Sequence, residues 1–498
     1  MMKRRDFLFG SAALATGAVL AGKVPLVGMA RAAAPDLDGR ARLQMPPLLD
    51  ATQSGEFTLN LQEGTQRFVM NNPSPTFGIN QGYLGPTVRM APGSSRADVK
   101  NTLDEGVAMH WHGLLVPGEQ DGGPHQPIAA GGRWNTDLDI NQLPATAWYH
   151  AHTHGRTAQQ VYNGLAGFIQ IDDGRDHDRG LPSNYGVDDL FLVIQDKRFD
   201  ENGLLVFDSS MMTAMHGFFG NTIVVNGQVG AVCTPPKGLT RLRLLNGSNA
   251  RSYGLFFDDL REMHLIATDS GYLQKPTALT QLRLAPGERV EVLVDFSKGG
   301  PARLLSWGDM NQSLKGYQGP IPTNIQEWSA LGAYSILPFQ PDERLKSGVD
   351  RLPDELDGEP AEMAQKPVRT REFTLDMGMG MMMARAMGGS MMGINGKGFD
   401  MERIDVEAKV GTVERWIISA HMQVHPFHIH GVKFLVENQV GQPPRPEERG
   451  WKDTVIVEEE SQVLVRFDHA APKERPYMYH CHILEHEDAG MMGQMSVT

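Results

Sequence analysis

The run His480-Cys481-His482-Ile483-Leu484-Glu485-His486-Glu487-Asp488-Ala489-Gly490-Met491-Met492, close to the end of a 498-residue chain, decides how the rest is read. Successive side chains of a strand alternate between faces, so Cys481 points one way while His480 and His482 point the other. Cys481, His486 and Met491, joined by one histidine from elsewhere, form the two-histidine, one-thiolate set with a weak axial thioether that suits a blue-copper electron-transfer centre. His480 and His482 then serve a second site behind the same strand, a few covalent bonds from the sulfur.

Three further stretches space histidines two apart: His110-Trp111-His112-Gly113, His150-Ala151-His152 with His154 trailing, and His425-Pro426-Phe427-His428-Ile429-His430-Gly431. Each His-x-His pair shares one strand face. His425 sits at an odd offset from His428, so it can turn to the cysteine side and complete the set of His425, Cys481, His486 and Met491. Eight histidines in four pairs remain for a three-metal cluster. Two pairs come from the first part of the chain and two from the last, which places the cluster at their interface. A lone histidine is ordinarily a core or surface group, but four pairs with a spaced cysteine and methionine have the spacing of metal sites. Zinc, the rival, needs only four ligands per closed site, and cysteine with an axial methionine favours copper.

Short β-branched and aromatic runs bounded by Gly, Pro and Asn recur throughout, among them FTLNL at Phe57, LFLVIQ at Leu190 and VERWIIS at Val413, while helical periodicity is rare. That is the pattern of all-β sandwiches or barrels in series. A diverged repeat supports it. Gly93, Gly238 and Gly411 each open a strand, and a second strand begins about fifteen residues later, at His110, Ser252 and His425. The middle copy has no histidines there, so the middle domain is expected to be a spacer. Polar residues 172–188 and Pro-, Asp- and Glu-rich residues 338–368 read as linkers. The expected division is a signal over 1–34, domains over 45–175 and 188–338, a linker over 339–367, and a last domain over 368–498.

The N-terminus carries Arg4-Arg5, a modestly apolar stretch and small residues around Ala30 to Ala34, the form of a cleaved twin-arginine export signal. Lys23 and Pro25 interrupt the apolar run, which argues against a membrane anchor. The expectation is a periplasmic, soluble monomer that uses the twin-arginine export machinery. The formal net charge is −13, which argues against nucleic acid as a partner. Only Cys233 and Cys481 occur. A disulfide between them would consume the copper ligand, so Cys233 is read as an unpaired buried thiol.

With HWHG, WYHAHTHG, HPFHIHG and HCHILEHEDAGMM in place, essentially the whole chain after the signal resembles the bacterial three-domain multicopper oxidases, periplasmic cuprous oxidases and laccase-like enzymes of copper tolerance. The resemblance implies three cupredoxin-like Greek-key β-barrels and four copper ions, one type 1, one type 2 and two type 3. By its pattern His110 and His428 hold the type 2 copper, His112, His150 and His482 one type 3 copper, and His152, His430 and His480 the other. It implies four-electron reduction of O2 to water, with Asp121 and Glu487 as proton donors or relays. A turn role for Asp121 and a ligand-orienting role for Glu487 are the plain alternatives.

Residues 377–392, MGMGMMMARAMGGSMM, hold eight methionines in sixteen positions. Soft thioethers select Cu(I), and the glycines there weaken a helical filler reading. A substrate copper could be held by Met377, His421 and Met422, although the aspartate that such relatives carry ahead of HPFHIH is replaced in His421-Met422-Gln423. The sequence therefore points to a cuprous oxidase serving periplasmic copper detoxification. The alternatives are a laccase acting on phenols and a non-enzymatic scaffold, as in relatives that have lost their copper ligands and act in cell division. The intact twelve-ligand set argues against the scaffold.

Overall fold

Alternating apolar runs cut by glycine turns leave little choice but sheets, and the described residues form six, two in each third. The computed structural model describes residues 40–69, 72–298, 300–308, 332–377 and 392–498. The first third pairs a five-stranded with a four-stranded sheet, the middle a six-stranded with a four-stranded sheet, and the last two five-stranded sheets. Each third encloses its own apolar cluster. Trp111, Trp148 and Phe57 lie in the first, Phe257, Phe296 and Phe339 in the second, and Phe373, Trp416 and Tyr479 in the third. The architecture is three cupredoxin-like β-barrels in series.

The repeat read from turn glycines is a repeat of pairing. Glu56–Gln66 runs parallel to Gly93–Asn101 with Leu61 opposite Asn101. Asp189–Lys197 runs parallel to Leu239–Asn246 with Ile194 opposite Asn246, and Arg369–Asp376 parallel to Val413–Ala420 with Leu375 opposite Ala420. Parallel neighbours cannot be joined by a tight hairpin, so each pair forces a crossover. The strands that follow are Met109–His112, Tyr253–Phe257 and His425–Ile429. Two of the three carry the histidines.

Among the described residues helices are few and short. We label three: α1, Thr157–Asn163; α2, Met211–His216; and α3, Leu484–Asp488. Among the described residues no helix is long and apolar enough to cross a membrane. A buried ionic seam joins the first third to the middle. Arg241 reaches Asp176 at 2.7 Å, Arg243 reaches Asp189 at 2.8 Å and Glu291 at 3.0 Å, and Thr146 donates to Glu291 at 2.6 Å. Every charge there has a counter-charge, as burial demands. The expected signal over residues 1–34 and residues 378–391 of the methionine-rich run lie outside the described residues.

Candidate metal centre

Strand alternation sorts the ligands. In Met109–His112, Met109 and Trp111 enter the first core while His110 and His112 face away from it. In Tyr477–Cys481, Tyr479 and Cys481 belong to the last core, and His480 is turned to the opposite face. Antiparallel register then sets the pairs side by side, His110 opposite His150 and His428 opposite His480. The two sheets meet through stacked rings, His110 on His430 with centroids 3.7 Å apart and His112 on His428 at 3.6 Å. All eight histidines of the four pairs are buried.

One nitrogen of most of these rings is tied to the protein, which fixes the tautomer and frees the other. The Nδ1–H groups of His110, His150, His428 and His480 donate to the carbonyls of Asp121, Ala151, Asp453 and Cys481 at 2.9–3.0 Å. His430 Nδ1–H donates to Asp121 Oδ2 at 2.8 Å, and His112 Nε2–H to Asp453 Oδ1 at 3.1 Å. The opposite nitrogens, Nε2 of His110, His150 and His428 and Nδ1 of His112, are buried without a partner among the described residues. Such orphans are costly unless something else binds them. Nε2 of His152 and of His430 each stand 3.2 Å from His480 Nε2. Imidazole nitrogens about 2 Å from one ion are spaced by about 3.3 Å, so this trio has the geometry of a shared metal.

Chelating groups follow the same lines. His152, His430 and His480 form one, His110 with His428 and His430 another, and His110, His112 and His150 a third. The His482 ring lies 5.1 Å from His112 and 5.5 Å from His150, with both of its nitrogens unpartnered among the described residues. On the other face, His425 Nδ1 is 3.2 Å and His486 Nδ1 3.6 Å from Cys481 Sγ. Met491 is buried beside them, its carbonyl accepting from Cys481 N–H at 3.1 Å and its N–H donating to the His486 carbonyl at 2.9 Å. Burial pushes the Cys481 thiol above its usual range, so only a bound cation would make it a thiolate. The donor set fits copper on both faces. His154 is outside both, its ring against Phe399.

Both predicted carboxylates are at the cluster. Asp121 orients His110 and His430, as above. Glu487 accepts from Thr157 Oγ1 at 2.7 Å and stands 3.4 Å from His152 Nδ1 and 3.3 Å from His480 Nδ1. Burial, with Asp488 adding to it, pushes the Glu487 carboxyl well above its usual range. The candidate substrate set is not gathered: Met422 is 67% exposed, His421 is exposed and Met377 is half-buried against the last core.

Residues the motifs did not flag matter as much. Asp453 serves His112 with its carboxylate and His428 with its carbonyl. Arg289, from the middle third, clamps that carboxylate at 2.6 and 2.8 Å. A β-carbon at Gly113 would strike the Arg289 guanidinium, which explains the glycine of HWHG. Gly287, at φ +85°, lies so close to His482 that a β-carbon would stand 2.8 Å from its Cδ2 and 2.9 Å from Nε2. The His486 Nε2–H donates to the carbonyl of Met215 in α2 at 3.2 Å. The middle third therefore does more than space the other two. Gly287→Ala should push the His482 ring aside and strain the turn, costing about 1–3 kcal/mol and lowering the copper-to-protein ratio. Unchanged copper content and melting temperature would refute this.

Burial lowers the pKa of every ring with a resolved shift at the two sites, His425 to about 4 from an ordinary 6.5. An unfolded chain takes up these protons near pH 6.5 while folded His425 waits until about 4. Its stabilisation is thus complete above pH 6.5 and is lost as the pH falls toward 4, by about 3 kcal/mol for this residue alone. Urea unfolding of copper-free protein should show a clear loss between pH 7 and pH 5. A flat profile would contradict it.

Comparison with known proteins agrees with this centre. Multicopper oxidase family profiles match residues 60–176, 195–303 and 369–498. The Cell division protein FtsP of Dickeya dadantii is 39% identical over 504 residues, 99% of this chain and 98% of that protein. Its Salmonella typhimurium namesake is 38% identical over 502 residues, with 99% and 98% covered. Among solved structures, the laccase-like multicopper oxidase CueO of Ochrobactrum sp., with oxidase activity towards lignin model compounds and lignosulfonate, has a TM-score of 0.83 at 41% identity. It covers 92% of this chain and 100% of its own.

These names correct the expectation of a cuprous oxidase for copper detoxification, because the full-length curated relatives, 37–39% identical, are named for cell division. The physical reason is that copper ligands define an electron-transfer apparatus and not its purpose, and one fold hosts many functions. The methionines that suggested the donor lie largely outside the described residues, and His421 and Met422 are out at the surface. What the sheets, the donor set and the profiles establish together is narrower: the chain belongs to the multicopper oxidase family.

Proposed function

We propose that this chain is a cell-division protein of the bacterial envelope that keeps a working copper centre, as a copper-dependent oxidoreductase with dioxygen as acceptor. One observation carries the reading: a chain matching division-named relatives from end to end gathers eight buried histidines, with ring nitrogens left for metal, beside a Cys481, His425 and His486 triad. The assignment of four coppers follows the family pattern, with type 1 at His425, Cys481, His486 and Met491, type 2 at His110 and His428, and type 3 at the other six. Export through the twin-arginine route, a periplasmic location and a monomeric state complete the proposal.

Bound copper would supply one-electron uptake on the cysteine face and four-electron delivery to dioxygen on the histidine face. The chain's own residues provide the frame. The backbone from Cys481 to His480 and His482 is the shortest covalent link between the faces. Asp121 and Asp453 lock the tautomers of four rings, so the nitrogens left over point at one locus. Thr157 holds the Glu487 carboxyl against His152 and His480, where a proton at Oε1 or Oε2 lies within reach of the cluster. Burial of the whole set excludes bulk water.

The test is complementation in a strain lacking the gene. Wild type should restore normal cell length, and Cys481→Ser should not. Normal division in the deletion strain would remove the division role. Full rescue by Cys481→Ser would show that division needs no copper electron transfer.

A further inference from the structure

Away from the metal, a cleft of about 370 Å³ opens where residues 44–47, 81–85 and 226–228 meet. This is within the range of small-ligand sites, about 300–1,000 Å³. None of its thirteen lining residues is charged, in a chain of which 21% is. Five carboxamides line it instead: Gln44, Gln66, Gln81, Asn226 and Gln228.

The glutamine amides are held by their nitrogens. Gln66 donates to the Gly227 carbonyl and Gln81 to that of Tyr83, each at 2.9 Å. Gln44 donates to the Arg42 carbonyl at 3.1 Å, and Gln228 to that of Gln44 at 3.3 Å. Among the described residues no donor reaches the four glutamine side-chain oxygens. Each of these amide nitrogens makes a single bond and has a second N–H to spare, so the cleft offers neutral acceptors and donors side by side and no counter-charge. Its backbone is also strained at Leu84, with φ 56°. Left-handed conformations of residues other than glycine collect at ligand clamps, where the surrounding structure over-determines them.

We infer that this cleft binds a neutral oligosaccharide, whose hydroxyls, each both donor and acceptor, match carboxamides that keep an oxygen and an N–H free. Ionic ligands would lose hydration without finding a partner charge. No lining residue belongs to the metal centre, so binding stands independently of copper. The envelope reading bears only on the source: an N-acetylated cell-wall glycan or a free sugar.

Titration calorimetry on the full copper-loaded chain should use N-acetylglucosamine tetramer for the first source, maltotetraose for the second and tetra-alanine as the peptide control. At least one sugar should bind, and Gln44→Leu and Gln228→Leu should each weaken it by about fivefold with an unchanged melting temperature. Chelating the copper should not alter the affinity. The inference is overturned if neither sugar saturates by about 10 mM, if both variants bind like wild type, or if only the peptide binds. Complementation decides the division proposal separately, so the two can fail independently.

Discussion

Cys481→Ser is expected to abolish the intense blue absorption and all oxidase turnover while leaving the fold standing. The sulfur lies in the last core, fully buried, with His425 Nδ1 at 3.2 Å and His486 Nδ1 at 3.6 Å. Removing it deletes the soft anionic ligand that suits this site to copper electron transfer. A serine hydroxyl ionises far less readily and cannot replace it. Oxygen for sulfur changes little volume, so the thermal midpoint of the metal-free variant should stay close to wild type. Because the ligands on the opposite face are untouched, electron paramagnetic resonance should still report type 2 copper. A blue, active Cys481→Ser protein would refute the assignment of the type 1 site.

The second large effect is expected from Arg289→Met. The guanidinium is fully buried and donates to Asp453 at 2.6 and 2.8 Å, to the carbonyls of Thr146 and Gly287 at 3.1 Å and to that of Asp269 at 3.0 Å. Breaking such a pair leaves an uncompensated buried charge and costs about 3–5 kcal/mol. The sign of its pH dependence follows. Burial raises the Asp453 carboxyl, but Arg289 and then His112 outweigh it and hold the group well below the carboxylate range. In wild type that stabilisation is present above the unfolded carboxylate pKa and is lost as the pH falls through and below it. The variant loses this term, so the deficit measured by urea unfolding should be large at pH 7 and shrink in acid. Copper occupancy should fall too, since Asp453 would no longer hold His112 and His428 firmly. A deficit below about 1 kcal/mol at pH 7 would refute the clamp.

Much of the centre was legible because its signals are local. A strand has a period of two, so His-x-His pairs declare a shared face, and the odd offset of His425 from His428 declares the opposite one. Cys481 lies in the last core, grouped with His425 and His486, and His480 lies across the strand from it. The repeat was legible for a similar reason, since turn glycines mark where strands begin. Asp453, Gly287 and Met215 were not legible. Asp453 sits in an ordinary strand-edge context 341 positions from the ring it orients, Gly287 resembles any turn glycine, and Met215 contributes only a carbonyl. Long-range hydrogen bonds and close backbone approach leave no periodic trace.

The chain's purpose is not legible for a different reason. Methionine content speaks to which metals a segment can bind and not to what the protein is for. By itself the sequence determined the all-β class, the ligand inventory and the two-faced strand, because backbone geometry alone converts spacing into direction. Only the tertiary structure decided which rings meet, which nitrogen of each is left for metal, and that Arg289 and Gly287 of the ligand-free middle third complete the site. Those outcomes depend on barrels packing against one another and burying charges that must then be paired, which no local run of residues encodes.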